Sequence, residues 1–184
     1  MNWGQGVNIK FCPLCKSDLV AREVGNIVRQ VCSSPGCRFV HWNNPIPVVA
    51  GLVHCDGHYV LARNAEWPVG MFSLISGFLE NGERPEDAIV RETKEELGLH
   101  GHHCRLIGHF ALPMFNQIVV AYAVEAQGEL NLSDEISEVL CISESDLASF
   151  DFGALALTRS IVDRWLGQVI ATKTASPMLS LNAR

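Results

Sequence analysis

Residues 77–99 read GFLENGERPEDAIVRETKEELGL, and in this stretch Glu92, Glu95 and Glu96 bring three carboxylates onto little more than one helical turn. At about 100° per residue these three share one helix face, while Ile89, Val90, Thr93 and Leu97 share another. Like charges so placed repel by roughly a few tenths of a kcal/mol per pair, so helix stability alone does not select them. A divalent cation turns that repulsion into attraction, and the hard oxygen donors of clustered carboxylates suit Mg²⁺ or Mn²⁺. The plain alternative is a solvated acidic face on a surface helix. Gly77, Glu83 and Arg91, at fixed offsets from the carboxylates, argue for chemistry instead. The element that carries them is legible too: Pro85 suits a first helical turn, good helix formers follow to Leu97, and Gly98 ends the run.

The order Gly77, Glu83, Arg91-Glu92, Glu95-Glu96, Gly98 resembles the Nudix box, the signature of hydrolases acting on nucleoside diphosphates linked to another group. Thr93 stands where that pattern usually has a larger aliphatic residue. The resemblance implies a metal site built from the Gly77 carbonyl and Glu92, Glu95 and Glu96. It implies that Arg91 ties Glu83 and a box carboxylate in place rather than carrying a proton. The attacking water needs a base, for which Glu92 or a glutamate of a later loop is the candidate. That loop reads Asp134-Glu135-Ile136-Ser137-Glu138, where Glu135 matches best and Glu138 second. Glu135 is therefore expected in both the catalytic and the metal-binding set, with a solvated loop charge as the alternative.

A second cluster lies near the start. Cys12-Pro-Leu-Cys15 is followed by Cys32 and, across Pro35-Gly36, by Cys37. Two cysteine knuckles at this separation read as a zinc ribbon with tetrahedral sulfur ligation, and the proline and glycine suit the turn of the wider second knuckle. The apolar residues between the knuckles are too few to fold roughly thirty residues unaided, so a structural Zn²⁺ is the expected staple. Free thiols or a disulfide are the alternatives, and His41 is a spare ligand. Cys55, Cys104 and Cys141 sit in apolar, strand-like surroundings and read as small buried hydrophobes.

The 184 residues suffice for one ordinary domain and a small appendage, and a hydrophobic fraction of 48% supports a real core. No apolar run reaches the ~20 residues needed to cross a bilayer, and MNWGQGVNIK has no signal-peptide pattern, so the expected location is cytoplasmic. Net charge is −6, against tight nonspecific binding to nucleic acid. Residues 1–47 carry five basic and two acidic side chains, a local balance of +3. Four thiolates around one Zn²⁺ reduce that to about +1, so charge gives little support to RNA as a partner.

After the cysteines, Asn43-Asn44-Pro45-Ile46-Pro47 reads as a linker or turn. Strands are expected at Val48 to His54, Tyr59 to Arg63, Met71 to Ile75, Leu106 to Leu112, Ile118 to Ala126 and Val139 to Ile142, with Asp56-Gly57 as a hairpin turn. Ser143 or Ser145 suits a helix cap, and Leu155 to Leu166 reads as a closing helix. Hydrophobic pattern alone licenses a mixed α and β domain. The resemblance makes it an α/β/α sandwich with a mixed sheet, preceded by a small zinc ribbon. The expected organisation is a ribbon over 1–44, the hydrolase domain over 45–171, and a loose tail over 172–184.

A zinc ribbon before a Nudix box is similar to the NADH diphosphatase group, as is the approach Pro68-Val69-Gly70-Met71-Phe72-Ser73-Leu74. That group's SQPWPFPxS element is missing, and only Pro113 of His109 to Gln117 matches it. A second branch, similar to plant FAD diphosphatase, has a proline and a glutamine four residues on, as Pro113 and Gln117 are here. The expected reaction is cleavage of a dinucleotide such as NADH, NAD⁺ or FAD into two monophosphates. Removal of NAD caps from RNA uses the same bond, and an inactive nucleotide- or RNA-binding module is the reading from another class. Trp67, Phe72 and Phe115 are candidate walls for a flat base and Gln117 a candidate reader of its edge, with core packing as the alternative. Family resemblance suggests a homodimer.

Overall fold

A computed structural model describes residues 9–175, which fall into two compact units. The first comprises residues up to Ile46 together with Pro113–Gln117, and the second the remainder.

The first unit is built on a three-stranded antiparallel sheet, β1 (Leu19–Val24), β2 (Ile27–Cys32) and β3 (Val40–His41), in that order. Gly25 and Asn26 join β1 to β2, both with positive φ (60° and 61°), the backbone that a two-residue hairpin of matching twist requires. The chain turns at Ser34 to Cys37, where the Cys37 amide donates to the Ser34 carbonyl at 3.1 Å. Cys12, Val31 and Cys32 are this unit's buried apolar side chains among the described residues. So small a core does not hold a sheet together without another link.

The second unit has six strands: β4 (Ile46–Cys55), β5 (His58–Asn64), β6 (Ile75–Phe78), β7 (His100–Leu112), β8 (Gln117–Gln127) and β9 (Ile136–Ile142). They run β7-β8-β4-β5-β9, with β6 paired to β4 off that path. Its helices are α1 (Pro85–Leu97), α2 (Glu144–Ser149) and α3 (Ala156–Ala175). β4 is apolar on both faces because both are covered. Val49 and Val53 belong to one core with Ile89 and Leu97 of α1, and Val48, Ala50 and Leu52 to another with Leu147 of α2 and Ile161 and Trp165 of α3. Two cores on opposite faces of one sheet make the expected α/β/α sandwich. At Gly51 a Cβ would lie 2.7 Å from Ile89 Cδ1, so the glycine lets α1 settle onto the sheet.

Several expected elements differ in extent. β7 begins at His100, not Leu106: HisGlyHisHis is polar because β7 is an edge strand facing solvent. Of Met71 to Ile75, only Ser73 pairs before β6 begins, through a bridge to Ala62. α3 runs on to Ala175, four residues into the stretch read as a tail, and 176–184 lie outside the described residues. Ser143, one of two expected caps, takes the position, its hydroxyl accepting from the Asp146 amide at 3.1 Å.

Candidate active site and thiol cluster

Helix α1 presents the acidic face because its other face is committed. Ala88, Ile89, Thr93 and Leu97 are buried, and Pro85 starts the helix while Gly98, at φ 74°, ends it with its amide on the Lys94 carbonyl. Thr93, the departure from the box pattern, is fully buried, and its hydroxyl donates to the Ile89 carbonyl at 2.7 Å. The polar atom is thus satisfied within the helix, and its methyl group packs as an aliphatic one would.

Arg91 organises the carboxylates. Its Nε and Nη2 donate to the two oxygens of Glu83 at 2.9 and 3.0 Å, its Nη1 to Glu92 at 2.7 Å and Glu95 at 2.9 Å, and Nη2 also to the Phe78 carbonyl at 3.2 Å. This fork holds Glu83 well below its usual carboxyl range. Glu92 lies against β6, close enough that a Cβ at Gly77 would overlap its carboxylate. Burial pushes the Glu92 carboxyl up, Arg91 opposing it. Among the described residues Glu96 has no such partner. Burial, with the charges of Glu92, Glu135 and Glu95 adding to it, pushes Glu96 up to about 8.

Glu135 is delivered to this face by the loop before β9. The Asn131 and Ser133 amides donate to the last carbonyls of α1, Leu97 at 2.9 Å and Glu96 at 3.1 Å, and the Glu135 carbonyl accepts from the Ala65 amide at 2.8 Å. Its carboxylate has no hydrogen-bond partner among the described residues, and its charge acts on both Glu92 and Glu96. Glu138 instead accepts from Arg63 Nε at 3.2 Å. Arg63, which no sequence signal marked, also donates to the Trp67 carbonyl at 3.2 Å and so ties the Trp67 loop to β9.

The expected wall residues are spread over different parts of the structure. Phe72 is buried in the core on the α3 side, edge-on to Phe150 at 6.5 Å, the packing role that was its alternative. Trp67 is half-buried on the loop after β5. Phe115 and Gln117 belong to the first unit, where Gln117 is buried with its Nε2 unpartnered.

The donor chemistry fits a hard divalent cation: Glu92 lies against the Gly77 backbone, and Glu95, Glu96 and Glu135 are near enough for their charges to act on one another or on Glu92. Glu92 and Glu95 both pair with Arg91 Nη1, at 2.7 and 2.9 Å. Among the described residues, only Cys12, Cys15, Cys32 and Cys37 place three or more candidate ligand atoms all within 4.8 Å of one another. Cys12 and Cys37 Sγ are 3.6 Å apart, and Cys15 and Cys32 Sγ 3.3 Å. Those separations are far from a disulfide and close to the roughly 3.8 Å edge of a tetrahedron with 2.3 Å metal–sulfur bonds. Hydrogen bonds from Ser17 lower Cys15 to about 6, whereas burial pushes Cys32 up to about 12. His41 is not part of the group.

A family model described as NUDIX domain matches residues 45–161. The chain is similar to the NAD-capped RNA hydrolase NudC of Mycobacterium bovis, 34% identical over 139 residues, covering 65% of this chain and 44% of that protein. It is also similar to that of Vibrio parahaemolyticus, 30% identical over 125 residues, covering 67% and 46%. The chain therefore spans less than half the length of these relatives. Among solved structures it resembles a NUDIX hydrolase from Nitrosomonas europaea, at 25% identity and TM-score 0.70, covering 92% of this chain and 95% of that one.

Proposed function

The chain belongs to the NUDIX family, and on that premise we propose that it hydrolyses the diphosphate bond of a nucleoside diphosphate linked to another group. The observation that carries this reading is the convergence of Glu92, Glu95, Glu96 and Glu135, three of them on one helix face and the fourth docked beside them. Glu92, Glu95, Glu96 and Glu135, with the Gly77 carbonyl, would hold Mg²⁺ or Mn²⁺, whose chemistry there is to neutralise phosphate charge and lower the pKa of water. Arg91 and Glu83 keep those carboxylates in place, and no proton passes through Arg91. Glu135 suits the role of base because its carboxylate is uncommitted, whereas Glu92 is held by Arg91. The phosphoryl group itself needs little covalent help, so rigid positioning of these charges is most of the catalysis.

A dinucleotide such as NADH, NAD⁺ or FAD is the substrate class in this reading, cleaved to two monophosphates. Two relatives named as NAD-capped RNA hydrolases support the NAD-containing members, free or as an RNA cap. The intact carboxylate set weighs against an inactive binding module. Trp67 remains the candidate wall for a base in the box's own unit. Cys12, Cys15, Cys32 and Cys37 would hold a structural Zn²⁺, a closed four-thiolate site with no open position for water. Free thiols in that number suit the reducing cytoplasm, and no helix of the described residues is long and apolar enough to cross a membrane. A homodimer belongs to the same reading, to be read by light scattering.

Chromatography of reactions with NADH, NAD⁺, FAD, ADP-ribose, coenzyme A and diadenosine polyphosphates tests the substrate. In the same assay Glu96→Gln should lower kcat by more than about 10²-fold, the size of effect seen when one electrostatic stabiliser is removed from a site. Parent-level turnover by Glu96→Gln with Mg²⁺ added would falsify the assignment of the acidic face.

A further inference from the structure

The sheet of the first unit carries a row of side chains that its own stability does not account for. In the β1–β2 register Arg22 stands directly opposite Arg29, and Gln30 stands opposite His41 of β3. Arg22, Arg29 and Trp42 therefore lie side by side on one face, one from each strand or its immediate end. Arg29 Cζ sits 4.8 Å from the centroid of the Trp42 ring, and its Nη1 donates to the Trp42 carbonyl at 2.6 Å. Like charges directly opposite one another destabilise an antiparallel pair. Neither arginine has an acidic partner among the described residues. Glu23, the one acid in the three strands, opposes Val28 and so lies on the other face. Arg22 is exposed and Trp42 is 52% exposed, so the two ends of the row are open to solvent, while Arg29 between them is half-buried with its Nε unpartnered among the described residues.

Two guanidinium groups beside an open indole ring offer both halves of a single-strand nucleic-acid contact: cations for phosphate and a π face for a base. This positive row lies on a chain whose net charge is −6, which sets the face apart from the rest of the surface and disfavours polyanions elsewhere. We propose that the Arg22–Arg29–Trp42 row binds single-stranded RNA, the arginines on backbone phosphate and Trp42 against a base. The choice of RNA over other polyanions rests on the hydrolase reading above, while the row itself lies wholly within the first unit.

The test uses the full zinc-loaded chain and anisotropy of a 3′-labelled 12-nucleotide single-stranded RNA across a salt series. Arg22→Glu faces Arg29 with an opposite charge, so it replaces a repulsive pair with an attractive one and leaves the sheet at least as stable in a thermal melt. Its RNA affinity should nevertheless fall about tenfold or more, with the log–log salt slope flatter by about 0.7 for each phosphate no longer neutralised. Trp42→Ala should weaken binding at all salt concentrations and Trp42→Phe should restore most of it, while free NAD⁺ turnover stays at the parent rate in all three variants. Parent-level RNA affinity in Arg22→Glu, or no binding by the parent protein at low salt, overturns the proposal. Binding that poly-glutamate competes away and that ignores Trp42→Ala overturns it in favour of an acidic peptide. RNA binding that depends on Arg22 in a chain that cleaves no dinucleotide leaves this inference standing and sinks the hydrolase reading instead.

Discussion

Arg91 donates all five of its N–H groups, to Glu83, Glu92, Glu95 and the Phe78 carbonyl, so its work is geometric. Lysine keeps the charge but not the planar fork. Arg91→Lys should therefore lower kcat by about tenfold or more while KM changes little, measured by steady-state kinetics with saturating Mg²⁺. Glu96 makes a different prediction. Its folded pKa, raised from 4.5 to about 8, lies above the unfolded one, so between those values the folded state binds more protons. Without added divalent cation, the Glu96 contribution to stability is then fully present below about pH 4.5 and is lost as pH rises toward 8. Glu96→Gln removes that loss and should melt higher than the parent at pH 8, by about 2–4 °C for each kcal/mol recovered, with the two converging near about pH 5. Equal melting temperatures at pH 8 would show that Glu96 is not desolvated. That Glu96 sits with Glu92 and Glu95 was legible from helical spacing; that Arg91 also reaches back to Glu83, ahead of the helix, needed the fold.

At the scale of elements, two contacts fix the site. β6 meets α1 so closely that Gly77→Ala must displace the Glu92 carboxylate, and the expected outcome is loss of activity with little change in secondary structure by circular dichroism. The loop before β9 is held by amides on the α1 carbonyls and by Arg63, which joins Glu138 to the Trp67 loop. Arg63→Ala should lower kcat by loosening Glu135 while leaving zinc content unchanged, and parent-level kcat would rule out that coupling. Elements with local signals were readable: α1 from Pro85 and Gly98, the β4–β5 hairpin from Asp56-Gly57. The first residues of β7 were not, because HisGlyHisHis becomes a strand through pairing with β8 and not through any preference of its own. On the chain Glu135 was the better match and Glu138 the second, and in the fold Arg63 takes the Glu138 carboxylate.

Across the molecule, the two units depend on different forces. The second has two apolar cores flanking a sheet, whereas the first buries little beyond Val31 and two cysteines. A strong chelator should therefore release one Zn²⁺ per chain and unfold the first unit, seen as reduced amide-exchange protection in β1 and β2, with β4 and β5 still protected. Retained protection in β1 and β2 once the metal is removed would show that the ribbon needs no ion. The first unit also includes Pro113–Gln117, far beyond Ile46 along the chain, and no composition shift announces that.

What the sequence by itself determined were the features set by short-range spacing: the acidic face of one helix, the four thiols in two knuckles, and the hairpins whose turn residues demand positive φ. These follow from helical periodicity, ligand geometry and backbone sterics, all of which act over a few residues. Only the tertiary structure decided that Arg63 takes the Glu138 carboxylate, that Phe72 packs in a core, that Phe115 and Gln117 fold with the ribbon's unit, and that Arg22, Arg29 and Trp42 align across three strands. Each of those depends on which distant segments pair, and the choice of partner is an energy of the assembled core rather than of any one stretch of chain.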